Sequence, residues 1–297
     1  MAADLAVDTA VRDAPARAAR TGVRWLLLLA PAFLVLAAFF VYPVVAIVVR
    51  AFTDPALGLG NFQAVWDDPT MTRVLLRTVA TALVVTVVTL ALAYPYAYLM
   101  TVVGARGRAV MLALVLLPFW TSLMARNFAW IVLLQDGGPI VRVTSALGLT
   151  DRALLGTETG VAIGMMQVLL PYMVLPLYAT MSGIDRRLLD AAGGLGAPRF
   201  TAFRRVYLPL SMPGVIAGST LVFVLSLGFY VTPRLLGSPK QSLIAQVIGT
   251  KVEKLLDFGG AGALSLILLV ITALLLLLVG RVAKPAAALG LDTEDGR

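Results

Sequence analysis

The chain has 297 residues, 60% of them hydrophobic and only 13% charged, with a formal net charge of +8 and a mean hydropathy of +0.92. A soluble globular domain carries about 25% charged residues, so this composition excludes a disordered chain and argues against a soluble enzyme. It contains no Cys and no His, which excludes disulfides, Fe–S clusters, thiolate zinc sites and a Cys nucleophile, and removes the side chain most used as general base and metal ligand.

Residues 1–22 are rich in Ala and Arg and read as a mobile arm. The first apolar run, Trp25–Val49, spans 25 residues. That exceeds the ~7–15-residue core of a cleaved signal peptide, so it reads as a retained helix. Further uncharged runs follow at Thr78–Ala105, at Ala109–Ala125 continuing past Arg126 to Gln135, at Thr159–Ile184, at Val206–Pro233 and at Phe258–Gly280. Each can cross an apolar core ~30 Å thick, which needs about 20 helical residues. None alternates apolar and polar residues as a barrel strand does, so backbone satisfaction in lipid requires helices. The expected fold is an all-α membrane protein, with six transmembrane helices over residues 23–282 and a tail at 283–297.

Prolines interrupt the first five spans, at Pro31, Pro43, Pro95, Pro118, Pro171, Pro176, Pro213 and Pro233. Each removes a helix hydrogen bond and favours a kink; membrane helices tolerate this, and a moving or cavity-lining bundle uses it. Pro209 and Pro213 predict that the fifth span loses its first residues to a loop. The Lys and Arg near the span ends favour both termini inside. The basic balance then reflects topology and anionic headgroups, and no basic stripe interleaved with aromatics suggests nucleic acid.

The connection between spans four and five, residues 184–212, is the least ordinary segment. Asp185 can cap a short helix that puts Leu188, Ala191, Ala192 and Leu195 on one face. Gly193, Gly194 and Gly196 end it, and Pro198 suits the start of a second helix with Phe200, Phe203, Tyr207 and Leu210 on one side. Such a pair can dock in a partner's groove, where alanines permit close approach and a carboxylate meets an arginine. The alternative is a re-entrant elbow that lies in the headgroups and binds nothing.

Asp190-Ala191-Ala192, three residues, Gly196, nine residues, Val206, one residue, Leu208-Pro209 resembles the EAA motif of permeases in binding-protein-dependent ABC importers. Every gap matches, with Asp for Glu and Val for Ile. The resemblance implies a coupling helix seated in a cleft of a cytoplasmic ATPase. Asp190 would face a basic residue, Ala191 and Ala192 would allow tight packing, and Gly196 would make the turn. The shorter Asp leaves the carboxylate's partner open. No G-x-x-x-x-G-K-[ST] loop occurs, so ATP hydrolysis would belong to a separate subunit. The stretches 121–134, 169–178 and 228–237 are similar to the first permease of spermidine/putrescine-type importers, over approximately residues 25–282. That subfamily is in turn similar to importers of ferric iron and phosphonates. The resemblance implies a second permease, two ATPase subunits and an extracytoplasmic solute-binding protein as partners, and no cofactor.

A polyamine path needs carboxylates and aromatic faces, yet the spans hold no acidic residue. Asp54, Asp67, Asp68, Asp136, Asp151, Glu158, Glu253 and Asp257 fall at the outer ends or loops, as ordinary solvated acids or as a receiving site. Among the aromatics, Tyr98 and Tyr178 read as interfacial belt residues, while Trp120, Tyr172 and Tyr230 are candidates for the path. Arg126 is either an interfacial anchor or a gate residue paired with Asp136 or Glu158, and an unpaired arginine in the pore would repel a polyamine. Arg234 reads as an anchor. An autonomous secondary transporter usually carries intramembrane carboxylates, and a membrane enzyme would have to work with outer-loop acids alone; both fit the sequence less well.

Overall fold

The computed structural model describes residues 29–149 and 152–288, with side chains described to residue 281. The expected arm at 1–22, the tail beyond 288 and Asp151 lie outside the described residues. The described residues fold into helices without a strand. In chain order they are α1 (Leu29–Thr53), α2 (Gly60–Asp67), α3 (Pro69–Val102), α4 (Ala105–Trp120), α5 (Leu123–Leu134), α6 (Pro139–Ala146), α7 (Glu158–Ser182) and α8 (Arg187–Gly194). After these come α9 (Arg199–Leu227), α10 (Val231–Leu236), α11 (Ile244–Thr250) and α12 (Phe258–Ala288). Five of them, α1, α3, α7, α9 and α12, are long and apolar enough to cross a membrane.

The third expected span is not one rod. The chain bends by 99° between Ala105–Trp120 and Leu123–Ala146, so the number of spans is five, or six if the bent pair counts as one. Pro118 has no amide to continue the ladder, and the Thr121 amide and hydroxyl both turn back to the Pro118 carbonyl at 3.3 and 3.0 Å. Arg126 therefore sits on the second arm of a bend, not ~26 Å along a straight helix.

The fifth expected span differs at both ends. No loop interrupts it at Pro209 or Pro213: α9 begins at Arg199 and runs unbroken to Leu227, where Gly228 ends it short of Pro233. A π-helical turn at Phe203–Tyr207, closed by the Leu208 amide on the Phe203 carbonyl, stands just before Pro209. In α1 a matching turn at Ala37–Val41 stands just before Pro43. Such wide turns make room for a ring that would otherwise strike the carbonyl four residues back.

The core lies where α3, α7 and α9 pack together. It is built from Val85, Ala93, Ala97 and Met100 on α3, Met165, Leu169, Met173 and Leu177 on α7, and Tyr207 and Val222 on α9. Small residues set the spacing, as expected where lipid supplies no hydrophobic drive between helices. A Cβ at Gly218 would lie 3.1 Å from the Met173 carbonyl, and one at Gly262 would lie 2.8 Å from the Ile47 carbonyl, where α12 meets α1. Helix starts are capped as the sequence allows: Asp68 accepts from the Thr70 amide at 2.8 Å ahead of α3, and Thr157 from Gly160 at 3.1 Å ahead of α7.

Candidate functional site

The α7–α9 connection projects from the Ser182 end of the bundle. Asp185 accepts a 2.9 Å hydrogen bond from the Arg187 amide, and α8 then carries Asp190 and Ala191 exposed and Ala192 half-buried. Gly193 and Gly194 lie within α8 and do not end it. The terminator is Gly196, at φ = +83°, whose amide bonds to the Gly193 carbonyl at 2.9 Å while Ala197 bonds to Ala192 at 3.0 Å. This paired 5→2 and 6→1 closure needs a left-handed residue, which glycine adopts without strain.

Around the short helix stand exposed apolar side chains: Leu188 at 47%, Leu195 at 91% and Phe200 at 73% exposure. Phe200 thus departs from the expected shared face, because the π-helical turn after it rotates Phe203 and Tyr207 inward while leaving Phe200 out. Of the motif's remaining residues, Val206 and Leu208 are half-buried and Pro209 is exposed at the foot of α9.

Four aromatic rings fasten this foot to α3. Phe203 stacks on Tyr207 at 5.5 Å, and Tyr98 meets both edge-on at 5.9 and 5.2 Å. Tyr94 meets Phe203 edge-on at 6.3 Å and shares a 2.9 Å hydrogen bond with Ser211. Tyr98, expected as an interfacial belt residue, thus packs against both rings of the foot. Arg186 adds a 3.2 Å bond to the Thr101 hydroxyl. The sequence carried the signal for this cluster in two matching i, i+4 aromatic pairs, Tyr94/Tyr98 and Phe203/Tyr207.

The path candidates are spread out. Trp120 is 88% exposed at the bend after α4. Tyr172 is half-buried on α7 and meets Phe119 edge-on at 5.3 Å. Tyr230, between α9 and α10, donates to Glu253 at 3.1 Å; Arg234 lies over its ring at 5.1 Å and also bonds Glu253 at 3.1 Å. Arg126 makes no salt bridge among the described residues, and its buried Nε has no hydrogen-bond partner. The Glu158 proposed for it pairs instead with Arg77 at 3.0 Å, whose guanidinium also bonds the Lys240 carbonyl at 2.8 Å. Below that pair a groove of about 580 Å³ opens between α3 and α7, walled by Ala80, Val84, Val88, Ala162 and Met166. At the head of α12, burial pushes the Asp257 carboxyl up, but bonds from Lys251 (2.6 Å) and the Gly260 amide, with the lysine charge, outweigh it and hold it below its ordinary value.

A bundle of apolar helices broken at glycine and proline, with an exposed carboxylate–alanine helix on one connection, defines a multi-pass membrane transport protein. Residues 16–284 match the family model described as the binding-protein-dependent transport system inner membrane component. The chain belongs to that family and is a multi-pass protein of the inner membrane. It is 33% identical over 236 residues to the spermidine/putrescine transport system permease protein PotB of Escherichia coli (strain K12), covering 79% of this chain and 86% of PotB. It is 32% identical to a probable molybdenum ABC transporter permease of Haloferax volcanii, covering 67% and 72% of the two chains. In fold it is similar to a chain of a bacterial alginate ABC transporter crystallised with its pentasaccharide-bound periplasmic protein, with a TM-score of 0.73 at 18% identity, covering 88% and 94%. PotB and the Haloferax volcanii protein are permease subunits, not enzymes.

Proposed function

We propose that this chain is one of two permeases in an ATP-driven importer that carries a small polyamine-class solute into the cytoplasm by alternating access. The remaining parts would be a second permease, two cytoplasmic ATPase subunits and an extracytoplasmic binding protein. In this reading the termini face inward, the bent pair of α4 with α5–α6 counts as one of six spans, and residues 23–282 form the permease domain between the arm and the tail. The α3–α7 groove would be half of the solute path, completed by the second permease.

The observation that carries the proposal is the exposed α8 ledge. Asp190 and Ala191 are open to a partner, Leu188, Leu195 and Phe200 surround them with apolar surface, and the aromatic cluster ties their movement to α3 and α9. An engine that shifts α8 would shift two of the three central helices with it. Asp190 would meet a basic residue of the ATPase, Ala191 and Ala192 would seat in its cleft, and Gly196, Val206, Leu208 and Pro209 would hold the turn and the foot of α9. Trp120, Arg126, Tyr172 and Tyr230 stand as path or gate residues, Trp120 and Arg126 at the bend and Tyr230 beside the α9–α10 break.

The solute class rests on the PotB relatives. One set of contacts favours a second reading, an anionic small solute such as a phosphonate: Glu158, Glu253 and Asp257 are neutralised by Arg77, Arg234 and Lys251, so they do not offer free charge to a polycation. Co-purification with the ATPase tests the coupling role. Deleting residues 188–196 should abolish capture of the ATPase, and a deletion mutant that still assembles and transports would overturn that role.

A further inference from the structure

Helix α9 stops at Leu227, Gly228–Tyr230 leave the helical path, and α10 resumes at Val231. The level of this break on α7 follows from the glycine contacts. A Cβ at Gly214 would meet Thr180 and one at Gly218 would meet Met173, at 2.8 and 2.9 Å. The two helices therefore run antiparallel, and two turns beyond Gly218 the end of α9 comes level with the α7 stretch around Met165. α10 closes on the same place, since a Cβ at Gly164 would lie 2.8 Å from Thr232 Cγ2. Gln167 is three residues from Gly164, about 4.5 Å along the axis, and ~14 Å from the Glu158 end, deep in the span.

Two oxygens here have no partner. Gln167 Oε1 is buried without a hydrogen bond, and so is Thr232 Oγ1, in a residue with 0% exposure. Elsewhere in the spans Thr78, Thr86, Ser226 and Ser265 donate to the carbonyl four residues back, while Thr89 on α3 is a single orphan. Thr232 cannot do so within a helix, because its fourth predecessor is Gly228, at the break. A buried acceptor left unmade costs about 1–3 kcal/mol, so such a pair calls for a donor. The third element is the C-terminal end of α9, where free carbonyls and the helix dipole concentrate negative potential.

We infer that the α9–α10 break is a way-station for a protonated primary amine, held by Gln167 Oε1, Thr232 Oγ1 and the α9 carbonyl end. This rests on the amine-solute part of the proposed function and supplies what that reading lacks, a cation site in spans without carboxylates. Neutral oxygens in a low-dielectric bundle make charge-assisted bonds to an ammonium and avoid burying an unpaired anion when no solute is present. A transporter site at a broken helix, with helix C-terminal carbonyls facing a cation, follows the same electrostatics. The rival donor is Arg126 on α5, which packs against α10 and has an unpartnered Nε.

The test is ATP-driven uptake of labelled putrescine into proteoliposomes holding the complete importer with its binding protein, normalised to the amount of assembled complex. Gln167→Leu and the isosteric Thr232→Val should each lower uptake at subsaturating solute about tenfold, as expected for one lost charge-assisted bond. Gln167→Glu, which keeps the acceptor, should retain uptake. Uptake within twofold of the parent in both Q167L and T232V, or a Q167E loss equal to that of Q167L, overturns the site while leaving the amine reading intact. If the oxygen serves the arginine instead, Gln167→Leu causes no further loss of uptake in an Arg126→Met background, and that outcome also overturns the site. If the unmodified importer takes up no putrescine, the amine reading and the site fail together.

Discussion

Gly196 holds φ = +83°, and a Cβ built on it meets no atom within 4 Å, so a side chain there is opposed by its own backbone alone. A left-handed alanine costs roughly 1–2 kcal/mol, and the end of α8 is exposed, so the cost falls on the shape of the ledge and not on the bundle. Gly196→Ala is expected to weaken ATPase capture about tenfold, since 1.4 kcal/mol is one decade, while the melting temperature in detergent stays within ~2 °C of the parent. Asp257 illustrates the opposite case, a residue whose role is electrostatic. Its native carboxyl lies below the ordinary 3.8, so the native state holds its proton less tightly than the unfolded chain does. Its contribution to stability is complete above that ordinary value and is lost as pH falls through the lower native one. The gap in melting temperature between the parent and Asp257→Asn should be open at pH 7 and close below about pH 4. The motif residues were legible because their spacing is local. The Arg77–Glu158 pair was not, because its members are far apart in sequence and meet only when α3 and α7 pack.

At the scale of single elements, the antiparallel contact of α7 and α9 depends on Gly214 and Gly218. A Cβ at Gly218 would press on both the Met173 sulfur at 2.9 Å and the backbone carbonyl at 3.1 Å. The sulfur can move, but the carbonyl moves only with the helix. Gly218→Val should therefore destabilise the bundle by about 1–3 kcal/mol, the range for overpacking, read as a lower melting temperature and reduced yield of folded protein. The same scale shows where a proline signal misleads. Pro209 and Pro213 were expected to put a loop before the fifth span, and Pro118 was expected only to kink the third. Instead a wide turn absorbs Pro209 without breaking α9, and the chain turns through 99° after Pro118. A proline fixes which hydrogen bond is missing; neighbouring helices decide whether the chain compensates or breaks.

For the whole molecule, α1 is the least buried of the five long apolar helices. It rests on α12 through Gly262 near Ile47 and Ala51, yet its apolar window is unburied, with Phe39 and Phe40 at 82% and 66% exposure. The groove between α3 and α7 is open on one side as well. Both features suit a protein that is half of a larger assembly and faces lipid where it does not face a partner. The chain alone in liposomes is expected to move no solute under an imposed ion gradient, whereas the full importer with ATP should accumulate it. Gradient-driven uptake by the single chain would support an autonomous transporter instead.

Composition and run length by themselves determined that this is a helical membrane protein, because a polar backbone in hydrocarbon has no other way to satisfy its hydrogen bonds over 20-residue apolar stretches. The fixed gaps from Asp190 to Pro209 determined the family, because a short helix, its glycine stop and the following helix are consecutive in the chain. Tertiary structure alone decided that the third span bends, that Tyr98 and Tyr207 form the foot of the bundle, that Glu158 belongs to Arg77, and that Gln167 and Thr232 keep buried, unpartnered oxygens. Each of these depends on which helix faces lie against one another, and in runs that are apolar all round the sequence pattern does not single out a face.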